Sequence, residues 1–391
     1  MKICLVHNAY GRLSGEEVAF EGLRGSLTCH GHTVIPFFRS SAELQGQQVR
    51  KVAAFFTGIY NIAARRDFAR LLDAERPDIV HINNLFPLIS PSILDETKRR
   101  GIPTVMTLHN YRLLCPTGLL FSHGEVCHRC LEGGEWWCAI RNCTGEWPKS
   151  AGYAVRNWVA RVRGSFSEGI DRFIAPTEFV KSMLVRHGYP AERIDVVRCI
   201  VSLEAFQSQL TDGEYVGYVG RISPEKGVDT IVEAAEHQPD IPFRFAGHCL
   251  QMPRQLRQAP RNCEFVGEVP RRDLGAFVAG ARFTVFASKW YETTGLSMVE
   301  TMARSKPVIC SRIGCLPELV EEGVTGLLFE PGNAEDLGRK VEYLWNRPDM
   351  YREMGAAART KVLAMFSPEA TYAQLLRTYQ TACNGLRVNS Q

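Results

Sequence analysis

The sequence has no apolar run of eighteen or more residues, so we expect no helix that crosses a membrane. The apolar run at residues 3–6 is too short for a signal peptide and predicts a first buried strand instead. Without a secretion signal, the thirteen cysteines indicate free thiols in a reducing compartment. We therefore expect a cytoplasmic protein.

The sequence also lacks the charge excess of a nucleic-acid-binding protein. The formal net charge is +4, and the contents of 45% apolar and 23% charged residues are typical of a globular protein. Residues 1–200 hold 25 Lys and Arg against 19 Asp and Glu, whereas the remainder holds 21 against 23. We expect no nucleic-acid partner, and the basic excess belongs to the first half.

Two common phosphate-binding fingerprints are missing as well. The loop at residues 11–17 has the spacing of neither a dinucleotide-binding turn nor a P-loop, which disfavours nicotinamide enzymes and simple NTPases. Its glycines, Gly11 and Gly15, allow a phosphate or sugar to approach the backbone, or serve the shape of the turn alone.

Short β-branched runs alternate with helical patterns along the whole chain. In the first half the predicted strands are 3–6, 33–37, 79–82, 103–108, 172–175 and 194–197, with helices at 16–30 and 94–100. In the second half they are 215–219, 242–246, 263–266, 283–286, 307–310 and 326–329. This alternation is typical of parallel sheets covered on both faces.

We therefore predict an α/β protein of two tandem, doubly wound Rossmann-like domains, with the boundary within 198–213 and a polar linker at 207–213. Open parallel sheets bind ligands at the carboxyl ends of their strands, so two such domains facing each other would form a deep cleft.

Several polar residues follow predicted strands. Arg221 and Lys226 follow the first strand of the second domain, where a guanidinium and an ammonium can hold a diphosphate; a solvated turn is the alternative. His109 follows a strand of the first domain and can bind a sugar or pack as a structural residue.

Two carboxylates eight positions apart, Glu292 and Glu300, flank Gly295 at a predicted helix start. The first backbone N–H groups of such a helix suit a phosphate. Both acids can then contact one ligand, or they are two solvated glutamates beside an ordinary strand–loop–helix.

The whole set resembles the family 4 glycosyltransferases, retaining enzymes of the GT-B fold. The matching residues, in order, are Gly15-Glu16, His109, Gly220-Arg221, Lys226-Gly227, Glu292 with Glu300, and Lys306-Pro307-Val308-Ile309. The resemblance extends from residue 1 to about residue 370 and is most specific over 217–332. It implies domains at 1–200 and 201–365, with a final helix and tail at 366–391 that crosses back to the first domain.

The resemblance also implies roles. Glu292 would bind donor-sugar hydroxyls, Glu300 would bind the ribose, and His109 would contact the sugar. Arg221 and Lys226 would neutralise the diphosphate. The residues implied to contact the nucleotide-sugar donor are Gly15, Arg221, Lys226, Val266, Gly267, Glu292, Thr294, Gly295, Leu296 and Glu300. The implied catalytic residues are Glu292, His109, Arg221 and Lys226.

Thr293 and Thr294 stand where family members usually carry proline and phenylalanine, which leaves the donor sugar open. No Asp-x-Asp motif occurs in the expected site, and no general base is evident, so we expect metal-independent, retaining transfer without a cofactor. The acceptor would be a saccharide or lipid-linked saccharide in cell-surface polysaccharide or glycolipid synthesis.

A segment rich in Cys, Gly and Trp, residues 115–148, shows little periodicity and is predicted to be an inserted loop. Cys127 and Cys130 have the spacing of a zinc knuckle. The thiolates available for a structural zinc site are Cys115, Cys127, Cys130, Cys138 and Cys143. Free thiols or a disulfide formed on isolation are the alternatives.

Basic and aromatic residues recur at roughly helical spacing over 50–70. They predict either peripheral contact with an anionic inner-membrane face or a helix with a solvated basic face. Among other classes, a GT-B sugar phosphorylase, a nucleotide-sugar epimerase and a non-catalytic nucleotide- or metal-binding scaffold remain open.

Overall fold

The computed structural model describes residues 1–10, 15–41, 57–201, 206–208, 211–249 and 258–388. The chain forms two compact units. Unit 1 comprises residues 1–120, 127–201 and 368–391, and unit 2 comprises residues 121–126 and 202–367. The described part of the chain contains no helix long and apolar enough to cross a membrane.

The strands are short, and twelve of them belong to two parallel sheets. They are β1 Lys2–Ala9, β2 Thr33–Ser40, β3 Ile79–Ile82, β4 Thr104–Thr107, β5 Phe121–Ser122, β6 Glu125–Val126, β7 Arg172–Ala175, β8 Ile194–Val196, β9 Tyr215–Val219, β10 Phe243–Ala246, β11 Cys263–Gly267, β12 Ala281–Phe286, β13 Val308–Ser311 and β14 Gly326–Phe329.

The helices mostly alternate with the strands, except at residues 129–169 and 334–388, where several helices follow one another. They are α1 Gly15–Cys29, α2 Ile62–Glu75, α3 Leu94–Arg100, α4 Arg129–Gly133, α5 Trp136–Ile140, α6 Trp147–Val162, α7 Ser165–Gly169, α8 Glu178–Arg186, α9 Val228–Glu236, α10 Leu274–Gly280, α11 Leu296–Met302, α12 Leu316–Leu319, α13 Ala334–Trp345, α14 Pro348–Met365 and α15 Pro368–Val388.

Unit 1 is built on a six-stranded sheet in the order β2-β1-β3-β4-β7-β8. The central strands are fully buried because their β-branched and aliphatic side chains are covered on both faces. The chain passes from β1 outwards to β2 and then returns to β3 on the other side. Loops after β1 and β3 therefore diverge at this point, which leaves room for a ligand.

The last helix, α15, belongs to unit 1, as the crossing-back prediction requires. Its Leu375 and Tyr379 join the apolar core formed by β1, β3 and α1. The Tyr379 hydroxyl lies 2.6 Å from Nδ1 of the buried His81, and Nε2 of His81 lies 2.7 Å from Oγ1 of Thr107. Both ring nitrogens of His81 are therefore satisfied inside the core.

Unit 2 is built on a second six-stranded sheet, in the order β11-β10-β9-β12-β13-β14. Its core is rich in aromatic and aliphatic side chains, among them Phe243, Phe245 and Phe283. The direction of winding reverses between β9 and β12, so this unit also has a topological switch point. The prediction of two doubly wound Rossmann-like domains is confirmed by the two parallel sheets.

One lysine near this sheet is structural. Lys306 is 1% exposed, and its Nζ donates hydrogen bonds to the carbonyl oxygens of Thr211 at 3.0 Å and Ala279 at 2.9 Å. Burial lowers the pKa of Lys306 to about 8. This ammonium therefore ties two chain segments together and is surrounded by protein oxygens.

The prediction that residues 115–148 form an irregular loop is wrong. The segment contains an antiparallel hairpin, β5 with β6, and the helices α4 and α5 before it enters α6. Cys138, Ala139 and Ala154 form a small buried cluster between α5 and α6. The helices α4 and α5 are each five residues long, which is too short to show a helical periodicity in the sequence.

Three predictions fall partly outside the described residues: the loop at 11–17, the basic segment at 50–70 and the linker at 207–213. Within the described part, Arg65 and Arg70 lie on α2. Arg65 pairs with Glu96 at 2.7 Å, and Arg70 lies 3.7 Å from Asp67. Membrane contact by residues 50–70 stays a prediction.

The Tyr379–His81 hydrogen bond predicts a stability effect. We expect Tyr379→Phe to lower the free energy of unfolding by about 1–3 kcal/mol, because it leaves a buried imidazole nitrogen without its partner. Urea denaturation measures this. Tyr343→Phe on α13, where the side chain is 40% exposed, is the control and should change little. Equal stability of Tyr379→Phe and wild type would contradict the assignment.

Candidate functional site

Several of the polar residues that the sequence predicts to be functional gather at the switch point of unit 2. Residues 220–227 follow β9, and residues 287–295 follow β12 in the adjacent position of the sheet. Carboxyl ends of neighbouring parallel strands meet at one edge, so the two loops are brought together by the sheet order. A backbone hydrogen bond from Lys289 N to Glu225 O, 2.9 Å long, joins them directly.

Three side chains donate hydrogen bonds to Glu292 in the loop after β12. Glu292 is 9% exposed, and its Oε1 accepts hydrogen bonds from Lys226 Nζ at 2.6 Å, Ser288 Oγ at 2.7 Å and Trp290 Nε1 at 3.0 Å. The Lys226 ammonium also lies 5.4 Å from the centre of the Trp290 ring, close enough for a cation–π interaction. The carboxylate and the ammonium thus form a buried ion pair.

The charge state of Glu292 follows from this environment. Burial acts to raise its pKa, but the Lys226 charge and the three donated hydrogen bonds act more strongly, so the pKa of Glu292 lies below its ordinary value. Glu292 is therefore ionised at neutral pH although it is almost completely buried.

Gly227 allows the two loops to approach this closely. Its φ is +65°, and a Cβ placed there would lie 1.9 Å from the carbonyl oxygen of Ala287. No other residue fits between the loops without moving one of them. The glycine therefore sets the distance over which Lys226 reaches Glu292.

Arg221 lies on the same loop and is more accessible. Its guanidinium is 3.1 Å from Glu225, and the Arg221 side chain is 60% exposed. Glu225 is itself held by a hydrogen bond from Ser223 Oγ at 2.7 Å. Arg221 is thus positioned at the edge of the sheet with most of its surface open to a ligand.

The second acid of the pair, Glu300, lies in α11, and Gly295 precedes this helix in a left-handed conformation with φ 71°. The predicted helix start is correct. Glu300 contacts Arg271 at 3.2 Å. Burial raises the pKa of Glu300, and the charges of Arg271 and Arg304 oppose this only in part. The two acids therefore have opposite pKa shifts.

The other residues predicted to contact the donor in unit 2 lie at the end of β11, two strands away from β9 in the sheet, and in the segment between β12 and α11. Val266 and Gly267 end β11, and Val266 is 39% exposed. Thr294 is buried at the end of the loop before α11, and Leu296 is the first residue of that helix. Gly15, by contrast, belongs to unit 1, as the first residue of α1.

His109 lies in unit 1, just beyond β4. Its Nε2 is 3.0 Å from Oδ1 of Asn83, which follows β3. Burial, with a smaller contribution from His7, lowers the pKa of His109 to about 3, so the ring is neutral at physiological pH. His109 can therefore act as a hydrogen-bonding group but carries no charge.

Burial raises the pKa of the Cys130 thiol, and the nearby Cys115, Cys143 and Cys127 raise it further, so these cysteines lie close together. Cys130 and Cys143 pack against the cluster around Cys138. Among the residues that the structure describes, no group of three or more His, Cys, Asp or Glu is arranged to hold a metal ion. The structural zinc stays a prediction, which metal analysis of protein purified without added zinc tests; a stoichiometry near zero removes it.

Several contacts of the candidate site are not predicted by the sequence. The sequence predicted separate donor groups as the partners of Lys226 and Glu292, whereas the two side chains form an ion pair with each other. It assigned no role to Ser288, Trp290 or Arg271. Ser288 and Trp290 lie four and two positions before Glu292, so their proximity to it offered a signal, but Arg271 lies on a distant loop and offered none.

Comparison with known proteins agrees with this geometry. Residues 14–205 match the family model described as Glycosyltransferase Family 4, and residues 202–361 match the model described as Glycosyl transferases group 1. The two parallel sheets and these family matches identify a GT-B glycosyltransferase. The chain belongs to glycosyltransferase family 4.

Individual relatives are distant. An uncharacterised 42.6 kDa protein in the cps region of Klebsiella pneumoniae is 22% identical over 82% of this chain and 87% of its own length. The O-antigen chain mannosyltransferase B of Escherichia coli is 25% identical over 58% of this chain and 66% of its own length. Among solved structures, Anabaena HepE in complex with UDP and glucose has a TM-score of 0.69 and 17% identity, covering 97% of this chain and 100% of HepE.

The Lys226–Glu292 pair predicts a thermodynamic coupling. We expect Lys226→Met and Glu292→Gln each to lower the free energy of unfolding by about 3–5 kcal/mol, because each leaves a buried group without its partner. The double variant should lose less than the sum of the two single losses. Urea denaturation of the four proteins measures the coupling, and strictly additive losses would contradict it.

The pH dependence has a definite sign. Because the folded-state pKa of Glu292 is lowered, the stabilisation by its charge is complete above the unfolded value of about 4.3 and is lost as the pH falls through the folded-state pKa. The difference between wild type and Glu292→Gln should shrink in that range. Glu335→Gln, at a side chain that is 83% exposed, is the control.

Proposed function

We propose that the protein is a retaining, metal-independent glycosyltransferase that moves a sugar from a nucleotide-sugar donor to a saccharide or lipid-linked saccharide acceptor. The observation that carries the proposal is that Arg221 and Lys226 lie on the same loop after β9, with the Lys226 ammonium 2.6 Å from Glu292 at the switch point of unit 2. Two cations at the end of β9 match the charge of a diphosphate, and an ionised carboxylate beside them matches sugar hydroxyls.

Donor binding would change the ion pair. The oxygens of a diphosphate would compete with Glu292 for the Lys226 ammonium. Glu292 would then keep its hydrogen bonds from Ser288 and Trp290 and accept hydrogen bonds from the donor sugar. The carboxylate would stay in place because these two donors hold it independently of the lysine.

Transfer from such a donor generates positive charge at the anomeric carbon and negative charge on the leaving diphosphate. Arg221 and Lys226 would stabilise the leaving group. The acceptor hydroxyl would attack from the face that the diphosphate leaves, and a phosphate oxygen would take the hydroxyl proton. The new glycosidic bond would then have the configuration of the donor. The absence of an Asp-x-Asp motif from the sequence supports a role for these cations in place of a metal ion.

The comparisons suggest classes of substrate. HepE has been solved with UDP and with UDP-glucose, which supports a nucleotide-sugar donor here. The similarity to the O-antigen chain mannosyltransferase supports an acceptor in cell-surface polysaccharide synthesis. Peripheral contact of residues 50–70 with an anionic inner-membrane face belongs to the same proposal.

A panel of UDP-, GDP-, ADP- and TDP-sugars would identify the donor by thermal shift, since a ligand at 100 times its dissociation constant adds about 2.7 kcal/mol of stability. With that donor, we expect Arg221→Ala and Lys226→Ala each to lower kcat by about 30- to 1,000-fold, the equivalent of roughly 2–4 kcal/mol of transition-state stabilisation. Arg339→Ala, on the exposed side of α13, is the matched control.

The stereochemistry is tested separately. NMR of the product should show the anomeric configuration of the donor. An inverted product, or full turnover by both Arg221→Ala and Lys226→Ala, would overturn the proposed mechanism.

A further inference from the structure

A recess in unit 1 lies where the loops after β3 and β4 meet. Its polar lining comes from Asn83, Asn84, His109, Asn110 and Arg112. The switch point of unit 1 lies between β1 and β3, so a small ligand is expected near the carboxyl end of β3, which borders the recess. Asparagine, histidine and arginine supply this lining with several N–H donors.

Arg112 is fixed in this lining by its neighbours. Its Nη1 donates a hydrogen bond to Asn84 Oδ1 at 3.3 Å, and its guanidinium lies 5.5 Å from the centre of the Phe86 ring. Asn157 of α6 donates a hydrogen bond to the carbonyl oxygen of Arg112 at 2.7 Å. Gly118 packs against the Arg112 side chain so closely that a Cβ there would lie 2.7 Å from Arg112 Cγ.

The guanidinium of Arg156 also packs against the Phe86 ring. Arg156 is 6% exposed, its centre is 4.3 Å from the Phe86 ring, and its Nη2 donates a hydrogen bond to the Pro116 carbonyl oxygen at 2.7 Å. Burial and the charge of Arg112 lower the pKa of Arg156 to about 9, so Arg156 remains protonated at neutral pH. The two cations raise the positive potential of the recess.

The carboxyl group of Glu16, which lies near Arg112, does not neutralise the two guanidinium charges at pH 7. Burial raises the pKa of Glu16 to about 8, against the opposing effect of Arg112. Glu16 is therefore mainly protonated at pH 7. Among the described residues, its buried Oε1 has no hydrogen-bond partner.

The side-chain amide of Asn83 supplies a further hydrogen-bond donor to the recess. Asn83 is 3% exposed, and its Oδ1 contacts His109, but its Nδ2 has no partner within the described part of the chain. A buried amide N–H without a partner costs free energy unless a ligand or water accepts from it. An anion in the recess would accept from Asn83 Nδ2 and from Arg112 together.

We propose that this recess is an anion-binding site formed by Arg112 and Asn83, and that its ligand is a phosphate or carboxylate group on the acceptor. The proposal rests on the glycosyltransferase function for the identity of the ligand. It narrows the acceptor to a negatively charged molecule, either a phosphorylated lipid or saccharide or an acidic sugar.

Calorimetry on the full chain tests the proposal with four probes: farnesyl phosphate, farnesol, glucuronate and glucose. All titrations use the Arg221→Gln variant, which removes the exposed guanidinium of the unit 2 site and leaves the Lys226–Glu292 ion pair intact. We expect one or both anionic probes to bind and their neutral counterparts to bind at least about tenfold more weakly. Comparing the affinity for farnesyl phosphate with that for glucuronate shows whether the site prefers a phosphate or a carboxylate.

Two further substitutions in that background locate the site. Arg112→Gln removes the charge, and Asn83→Asp keeps the shape of the side chain but places a carboxylate in the recess. Each should weaken binding of the anionic probe at least about tenfold. Arg99→Gln, at a side chain that is 63% exposed on α3, is the control and should bind normally. Circular dichroism and melting temperature confirm that the variants are folded, and Asn83→Asp keeps the test decisive if Arg112→Gln unfolds.

Each other result overturns the proposal: no binding of either anion, equal binding of charged and neutral probes, or binding that survives both Arg112→Gln and Asn83→Asp. The glycosyltransferase function is read separately, from donor-induced thermal shift and donor hydrolysis by the wild-type protein. A protein that binds and hydrolyses donors but fails the anion test would keep its proposed function and lose only this site.

Discussion

The site of unit 2 depends on keeping one carboxylate ionised where water hardly reaches it. Glu292 is 9% exposed, and an isolated charge in that position would be neutralised by protonation. Lys226, Ser288 and Trp290 prevent this by donating to the same oxygen. Lys226 comes from a different loop, so the loops after β9 and β12 must touch. The sheet order makes them neighbours, and a glycine at position 227 lets their backbones meet.

The strands and many helices could be predicted because their signal is local. Runs such as residues 79–82 and 215–219 are β-branched and buried throughout, and the structure places strands at both. The order of strands within each sheet has no such local signal, because it depends on which face each crossover takes. The contact of His81 with Tyr379 joins residues 298 positions apart and became visible only in the folded chain.

The candidate site was predictable to the extent that its residues follow strands. Glu292, Gly295 and Glu300 lie where the sequence placed them, before and within a helix that begins at Leu296. The pairing of Glu292 with Lys226 was not predictable, since charged residues 66 positions apart have no fixed relation before folding. The environment of Arg112 was also not predictable from the sequence. Arg112 follows a strand as His109 does, but only its contacts with Asn84 and Phe86 in the folded chain distinguish it from a solvated arginine.

The two acids of the motif illustrate how environment separates identical side chains. Both are largely buried, with side chains 11% and 13% exposed, yet the pKa of Glu292 is lowered and that of Glu300 is raised. Glu292 has a lysine at 2.6 Å and two further donors on one oxygen, whereas Glu300 has an arginine, Arg271, at 3.2 Å. A carboxylate with a raised pKa is the stronger hydrogen-bond acceptor when ionised. A ligand hydroxyl donating to Glu300 would therefore supply stabilisation that Glu292 already receives from the protein.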